Sequence, residues 1–195
     1  MARWPAPGRC KSRLGAGGLG PVRAAAVQQR LLRHALEGVV QSTAGEGVEG
    51  RLALAGAGPA AASRLLPCCE RLDAVVQGSG GLGERMARQL TRGLRQGFRR
   101  VVLVGSDLPQ LTHADLQQAF AALERVPCVL GPAGDGGYWL VGLRCPCTGL
   151  FAGIDWGTDR VLQQTLGRAS QLGLPLALLP PQNDLDGVSD LRVWR

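Results

Sequence analysis

Four apolar residues in a row, Val101-Val102-Leu103-Val104, run directly into Gly105-Ser106-Asp107. A segment that is apolar on both faces has no side to turn to water, so it predicts a central parallel strand covered by helices on each side. The rest of the chain supplies those helices. Pro21 to Val40 carries Ala, Val, Leu and Gln at helical spacing, Arg51 to Ala55 reads as a short strand, and Gly56-Ala57-Gly58-Pro59 as a turn. Ala60 to Cys69 predicts a short helix and Leu72 to Val76 a second strand. Gly83 to Gln96 predicts an amphipathic helix with Met86, Leu90 and Leu94 on one face. Beyond the central strand, Thr112-His113-Ala114-Asp115 has the form of a capping box. Val126 to Leu130 and Tyr138 to Leu143 read as strands, Thr158 as the cap of a helix reaching about Leu172, and Leu174 to Leu179 as the last strand. The alternation predicts an α/β fold with a doubly wound, mainly parallel sheet, in a single domain spanning residues 1–195.

Composition narrows the function classes. With 45% hydrophobic and 19% charged residues the chain is globular, and no apolar run approaches the ~18 residues of a membrane span. Met1-Ala2-Arg3-Trp4-Pro5 lacks the apolar core of a signal peptide, which places the protein in the cytoplasm. Cys68-Cys69 and Cys145-Pro146-Cys147 lack the paired spacing of a zinc site and read as small apolar residues. The net charge is +7, and Lys11 is the sole lysine among 22 Lys and Arg. Such a balance attracts a polyanion. Aromatics make up only 4%, which disfavours nucleic acid as a stacked partner and leaves a phosphorylated small molecule.

Four segments carry residues suited to chemistry. Asp107 follows an apolar strand directly, and open α/β sheets bind ligands at the carboxyl ends of their strands. In Asn183-Asp184-Leu185-Asp186-Gly187-Val188-Ser189-Asp190, Asp184 and Asp186 alternate, so only one of them enters a site, while Ser189 or Asp190 reads as a helix cap. If Asp107 and Asp186 converge, they supply two hard oxygen ligands for Mg²⁺ or Mn²⁺. Gly8-Arg9-Cys10-Lys11-Ser12-Arg13 allows close backbone approach at Gly8 and puts three cations within five positions, a setting for a diphosphate, with a flexible basic tail as the plain alternative. Gly131-Pro132-Ala133-Gly134-Asp135-Gly136-Gly137-Tyr138 is a small-residue turn in which Asp135 is either a base or a turn former. Trp4, Trp139 and Trp156 read either as walls of an acceptor pocket or as core. Two GxGxxG matches, Gly15 to Gly20 and Gly78 to Gly83, raise a nicotinamide-dependent oxidoreductase as a rival, but 29 of 195 residues are Gly and the pattern recurs by chance.

Taken in order, these motifs resemble a known group. Pro7-Gly8-Arg9-Cys10-Lys11-Ser12-Arg13-Leu14 is similar to the PGRxKTRL signature of bacterial GT-A-fold transferases. Gly105-Ser106-Asp107-Leu108-Pro109, Gly131 to Tyr138 and Asp155-Trp156-Gly157-Thr158 follow in that group's order, and Asp184 to Leu191 resembles its closing DxDTxxDL. The resemblance is to the arsenosugar-biosynthesis glycosyltransferase-like, radical-SAM-associated transferases, related to 2-phospholactate guanylyltransferase. It implies a nucleotide-diphospho-sugar transferase fold in which Gly8, Arg9, Lys11 and Arg13 hold the phosphates of a nucleotide or nucleotide-sugar donor. It further implies that Asp107 and Asp186 hold the metal, that Gln77, Gly81 and Arg85 approach base and ribose, and that Asp135 orients or deprotonates a small-molecule acceptor. Lys11, Asp107 and Asp135 become the catalytic candidates. The implied reaction is glycosyl transfer, with nucleotidyl transfer as the alternative and an inactive nucleotide-binding remnant as the non-enzyme reading. Relatives carry an apolar strand before the basic loop; here Met1 falls where that strand would be ending, so part of the first strand is expected to be missing.

Overall fold

β1 (Ala2–Arg3), β2 (Arg51–Ala55) and β3 (Asp73–Val76) form a three-stranded sheet in that order, with both pairings parallel. They belong to a computed structural model that describes residues 1–44, 47–58, 60–62 and 72–192. The chain divides into two compact units, one of Met1–Val76, Gly105–His113 and Asp184–Arg195, the other of Gln77–Val104 and Ala114–Asn183.

In the first unit β1 is two residues long, and Trp4 extends its ladder by donating its N–H to the Ala55 carbonyl at 2.8 Å. A helical turn, α1 (Ser12–Leu14), runs into a wider turn at Gly15–Leu19 and then into α2 (Pro21–Ser42). Pro21 suits the first position of α2, where an N–H would have no helical partner. Ala24, Gln28, Leu31, Leu32, Ala35 and Leu36 recur every three or four residues and form the buried stripe of that helix. The stripe serves two cores. Leu32 and Leu36 pack with Ala2, Leu52 and Leu54 of the sheet, while Ala24 and Leu31 pack with Leu14 and Leu185. One helix thereby anchors both the basic loop ahead of α1 and the acidic segment at Leu185, each fully buried leucine contributing about 1.5–3 kcal/mol. Of the expected helix over 60–69, residues 60–62 are helical; the remainder, with Cys68 and Cys69, lies outside the described residues.

The second unit holds a four-stranded sheet of order β4 (Val101–Val104), β6 (Tyr138–Leu143), β5 (Cys128–Pro132), β7 (Leu176–Leu178). β7 runs parallel to β5, but β6 runs antiparallel to both β5 and β4. Within this unit β4 thus pairs with a reversed strand, while the ladders that do not involve β6 are parallel, as a mainly parallel sheet requires. The reversal comes from the turn before β6: Ala133 donates to the Gly137 carbonyl at 3.0 Å and Gly136 to that of Ala133 at 3.2 Å. A turn that short can only reverse the chain. α3 (Leu82–Arg95) lies on β4 at Gly93, where an added Cβ would come within 2.7 Å of Val101. α4 (His113–Arg125) and α5 (Val161–Gln171) complete the described helices of this length. α5 starts two residues later than expected, with Arg160 rather than Thr158 at its cap position, because the Thr158 hydroxyl donates to the Asp155 carbonyl at 2.8 Å and closes a turn of its own.

Cys10 and Cys128 are buried and Cys145 is exposed, all as free thiols. Among the described residues, no helix is long and apolar enough to cross a membrane.

Candidate functional site

The basic loop is shaped by its backbone. The Arg9 N–H donates to the Ala6 carbonyl at 3.0 Å, and Gly8 takes a φ of +72°, which favours glycine. Lys11 then adopts φ 48° and ψ 47°, a left-handed conformation unusual for any residue but glycine, and starts α1. Its side chain is turned inward and is 2% exposed. The ammonium donates to Asp107 Oδ2 at 2.9 Å, to the Leu185 carbonyl at 2.6 Å and to Asp186 Oδ1 at 3.1 Å. Lys11, Asp107 and Asp186 are thus brought together within the first unit. Arg9 and Arg13 of the same loop are exposed, and Arg13 reaches Asp186 Oδ2 at 3.5 Å.

Asp107 lies in the loop after β4, and its backbone carbonyl accepts the Leu185 N–H at 2.9 Å, joining the two acidic segments. Its Oδ1 accepts from Gln28 Nε2 at 3.0 Å and from the Ser106 hydroxyl at 3.0 Å. Burial opposes the charged form of this carboxyl, but the Lys11 ammonium and the hydrogen bonds from Lys11, Gln28 and Ser106 outweigh it and hold the group below the usual carboxylate range. For Lys11, burial favours the neutral amine, and the Asp107 and Asp186 carboxylates more than reverse that and push the ammonium upward. Asp186 is placed by Asp190, whose Oδ2 accepts the N–H groups of Asp186 at 2.9 Å and Gly187 at 2.6 Å. Those two backbone donors, Gly187 first, hold the Asp190 carboxyl low.

The chemistry of this group fits a hard divalent ion. Among the described residues no three His, Cys, Asp or Glu side chains are disposed to hold a metal. Mg²⁺, however, is commonly held by one or two carboxylates and completed by substrate phosphates. Asp107 and Asp186 are a pair of that kind, 37% and 42% exposed, with their oxygens converging on one point.

In the second unit Gln77, Gly81 and Arg85 gather around the start of α3. Gln77 is buried; its side-chain oxygen accepts from Arg85 Nη1 at 2.9 Å, and its carbonyl accepts from Arg88 Nη1 at 2.8 Å. Arg88 Nη2 also donates to the Ser79 carbonyl at 2.8 Å, so one guanidinium clamps the loop from both ends. Glu84 accepts the Gly81 N–H at 2.7 Å. In the Gly78–Gly83 motif, the helix terminus that a dinucleotide pyrophosphate would occupy already faces a carboxylate. The other GxGxxG match forms the turn between α1 and α2 and has no strand immediately ahead of it. Asp135 is exposed, and its Oδ1 accepts the Gly137 N–H at 2.9 Å, the contact of a turn former. Trp139 is buried, donating to the Pro180 carbonyl at 3.3 Å, whereas Trp156 is half-buried between Tyr138 and Phe151.

A family profile described as "Uncharacterized protein conserved in bacteria (DUF2064)" matches residues 29–158. The chain belongs to that family. A candidate nucleotide-diphospho-sugar transferase from Desulfovibrio desulfuricans G20 superposes with a TM-score of 0.84 at 32% identity, over 98% of this chain and 82% of that one. Rv0371c of Mycobacterium tuberculosis H37Rv, solved in complex with manganese, gives a TM-score of 0.51 at 20% identity, over 82% of this chain and 84% of that one. CMP:2-keto-3-deoxy-manno-octonic acid synthetase, solved with CTP, gives 0.56 at 11% identity, over 98% and 93%. No curated protein matches the sequence. The fold of this DUF2064 protein is accordingly the GT-A-like fold of nucleotide-diphospho-sugar transferases.

Three residues that shape these groups escape sequence reasoning. Gln28 is the polar member of the α2 core stripe, and a buried Gln at such a position is itself a signal for a buried partner. Asp190 reads as a helix cap but ties down the backbone of Asp186. Arg88 is one of many arginines and carries no sequence mark.

Proposed function

We propose that the chain is a metal-dependent transferase that takes a glycosyl group from a nucleotide sugar and passes it to a small-molecule acceptor. The observation that carries this reading is the convergence of Asp107 and Asp186 at 2.9 and 3.1 Å from one ammonium, in a unit whose basic loop leaves Arg9 and Arg13 exposed. Asp107 and Asp186 would hold Mg²⁺ or Mn²⁺, which when bound neutralises the donor diphosphate. Gln28 and Ser106 keep the Asp107 carboxylate ionised and aimed. Arg9 and Arg13 grip phosphate oxygens through their guanidinium forks, Gly8 lets the backbone approach them, and Lys11 adds charge as the diphosphate leaves. In the second unit, Gln77, Gly81 and Arg85 are the proposed nucleotide-binding residues and Asp135 the group that orients the acceptor. The shared fold and 32% identity with the Desulfovibrio protein favour the nucleotide-sugar donor, and the motif resemblance alone suggests a place near the arsenosugar-biosynthesis glycosyltransferase-like proteins.

Nucleotidyl transfer is the second reading, favoured by the fold shared with a CTP-binding synthetase. It uses the same carboxylates and basic loop, but an acceptor phosphate attacks the α-phosphorus and pyrophosphate leaves. Product analysis separates the two. The protein with Mn²⁺ and a panel of nucleotide sugars is expected to release nucleoside diphosphate, the glycosyl group passing to a supplied small-molecule hydroxyl acceptor or, more slowly, to water. Pyrophosphate release from nucleoside triphosphates with sugar phosphates would favour the second reading, and neither product from any donor would refute both.

A further inference from the structure

Lys11 is the only lysine in the chain, and every donor of its ammonium is in use. An ammonium has three N–H groups, and here they go to Asp107, the Leu185 carbonyl and Asp186 at 2.6–3.1 Å. With a side chain 2% exposed, it has nothing left to offer a phosphate. Arg9 and Arg13, its neighbours in the loop, are exposed. Lys11 is therefore set apart from Arg9 and Arg13, whose guanidiniums face solvent even though Arg13 also lies 3.5 Å from Asp186 Oδ2, and it sits on the two carboxylates assigned above to the metal.

We infer that Lys11 is the resident counter-cation of the Asp107–Asp186 pair and is exchanged for the divalent ion when the site is loaded. The inference rests on the metal reading under Proposed function and adds what happens to this chain's own charge. Two carboxylates carry a charge of −2; the buried ammonium offsets one charge, and the exposed Arg13 guanidinium, 3.5 Å from Asp186 Oδ2, offsets the other only through solvent. A divalent ion bound to the same oxygens would lie within a few ångströms of Nζ, where like charges repel strongly at low effective dielectric. Exchange rather than addition follows. The released ammonium regains three donors at the base of the basic loop, where donor phosphates are proposed to lie. In the free protein the arrangement keeps the carboxylates aimed without a metal and keeps the lysine out of water. The carboxylates are 37% and 42% exposed, which leaves a route for the incoming ion.

A sole lysine makes the exchange measurable on the unaltered full chain. Reductive methylation followed by peptide mass analysis reads Lys11 alone, with the N-terminal amine as a separate signal. Lys11 is expected to be protected in the free protein and to react several-fold faster when Mn²⁺ alone saturates binding. Inorganic pyrophosphate added with Mn²⁺ is expected to slow it again. Independently, Lys11→Met is expected to bind Mn²⁺ at least about tenfold more tightly than the wild type, and Asp107→Asn to abolish that binding. Should Lys11→Met fail to fold, the labelling experiment decides alone. Lys11 still protected at saturating Mn²⁺ overturns the exchange while leaving the metal reading standing. Absence of Mn²⁺ binding from wild type and Lys11→Met, with and without pyrophosphate, overturns both.

Discussion

Two basic groups of this protein, one in each unit, are held in opposite ways. In the first unit Lys11 is paired with Asp107 and Asp186, 96 and 175 positions further along the chain. In the second, Arg85 and Arg88 bind Gln77 and its neighbour Ser79, eight to eleven positions back. The first arrangement joins three distant segments through charge, and that union holds the Asp107 carboxyl low and the Lys11 ammonium high. The second is local, uses neutral acceptors, and shapes a single loop. A charge cluster assembled over such distances depends on the whole unit being folded, and it answers to pH and to competing cations. A local clamp answers mainly to its own residues.

The largest expected effect breaks the first group. Asp107→Asn keeps size and shape but removes a proposed metal ligand, so turnover is expected to fall by about 10²–10³-fold or more with the circular dichroism spectrum unchanged. Retained activity would remove Asp107 from the chemistry. Next comes Lys11→Met, which leaves two carboxylates facing each other. Removing one partner of a buried pair costs about 3–5 kcal/mol, and because these carboxylates are a third or more exposed, solvent screening reduces the expectation to about 2 kcal/mol in urea unfolding.

Acid and alkali sharpen the same contrast. The Asp107 carboxyl is lowered on folding, so its contribution is complete above its unfolded value near ~3.9 and is lost as pH falls through the lower folded value. The Lys11 ammonium is raised, so its contribution is complete below ~10.4 and is lost as pH rises through the higher folded value. The contributions of these two groups are expected to be constant between those limits and to fall beyond each, with Asp107→Asn flattening the acid side. An acid limb identical in the variant would show that Asp107 does not set it. The smallest effect belongs to the second group. Arg88→Met removes two hydrogen bonds to a partly exposed loop and should cost about 1–2 kcal/mol, raising KM for the nucleotide with kcat little changed.

Sequence patterns located most of the scaffold. β2 and β6 have the bounds that apolar runs predict, and α2 opens at Pro21 as a proline at a helix start should. The misreadings are local competitions. Thr158 closes a turn rather than capping α5, and the direction of β6, which no apolar run encodes, is set by the five-residue turn at Ala133–Gly137. For the site, a strand end pointed to Asp107 and a motif to Asp186, because position and residue type are sequence properties. That Lys11 turns inward to both is not, since its φ of 48° and its partners arise only when α2 gathers Leu14 and Leu185 into one core. Gln28 reads in sequence as one more residue at helical spacing, and its partner Asp107, 79 positions away, has no sequence mark that links the two.

The most direct test of the central claim is thermal stability of wild type and Asp107→Asn across nucleoside di- and triphosphates, nucleotide sugars and NAD(P), each with and without Mn²⁺. A ligand at ~100 times its dissociation constant adds about 2.7 kcal/mol, a readily measured shift. The account predicts a shift with a nucleotide or nucleotide sugar that requires Mn²⁺ and disappears in Asp107→Asn. A shift that survives the substitution, or one produced by NAD(P) without metal, would contradict it.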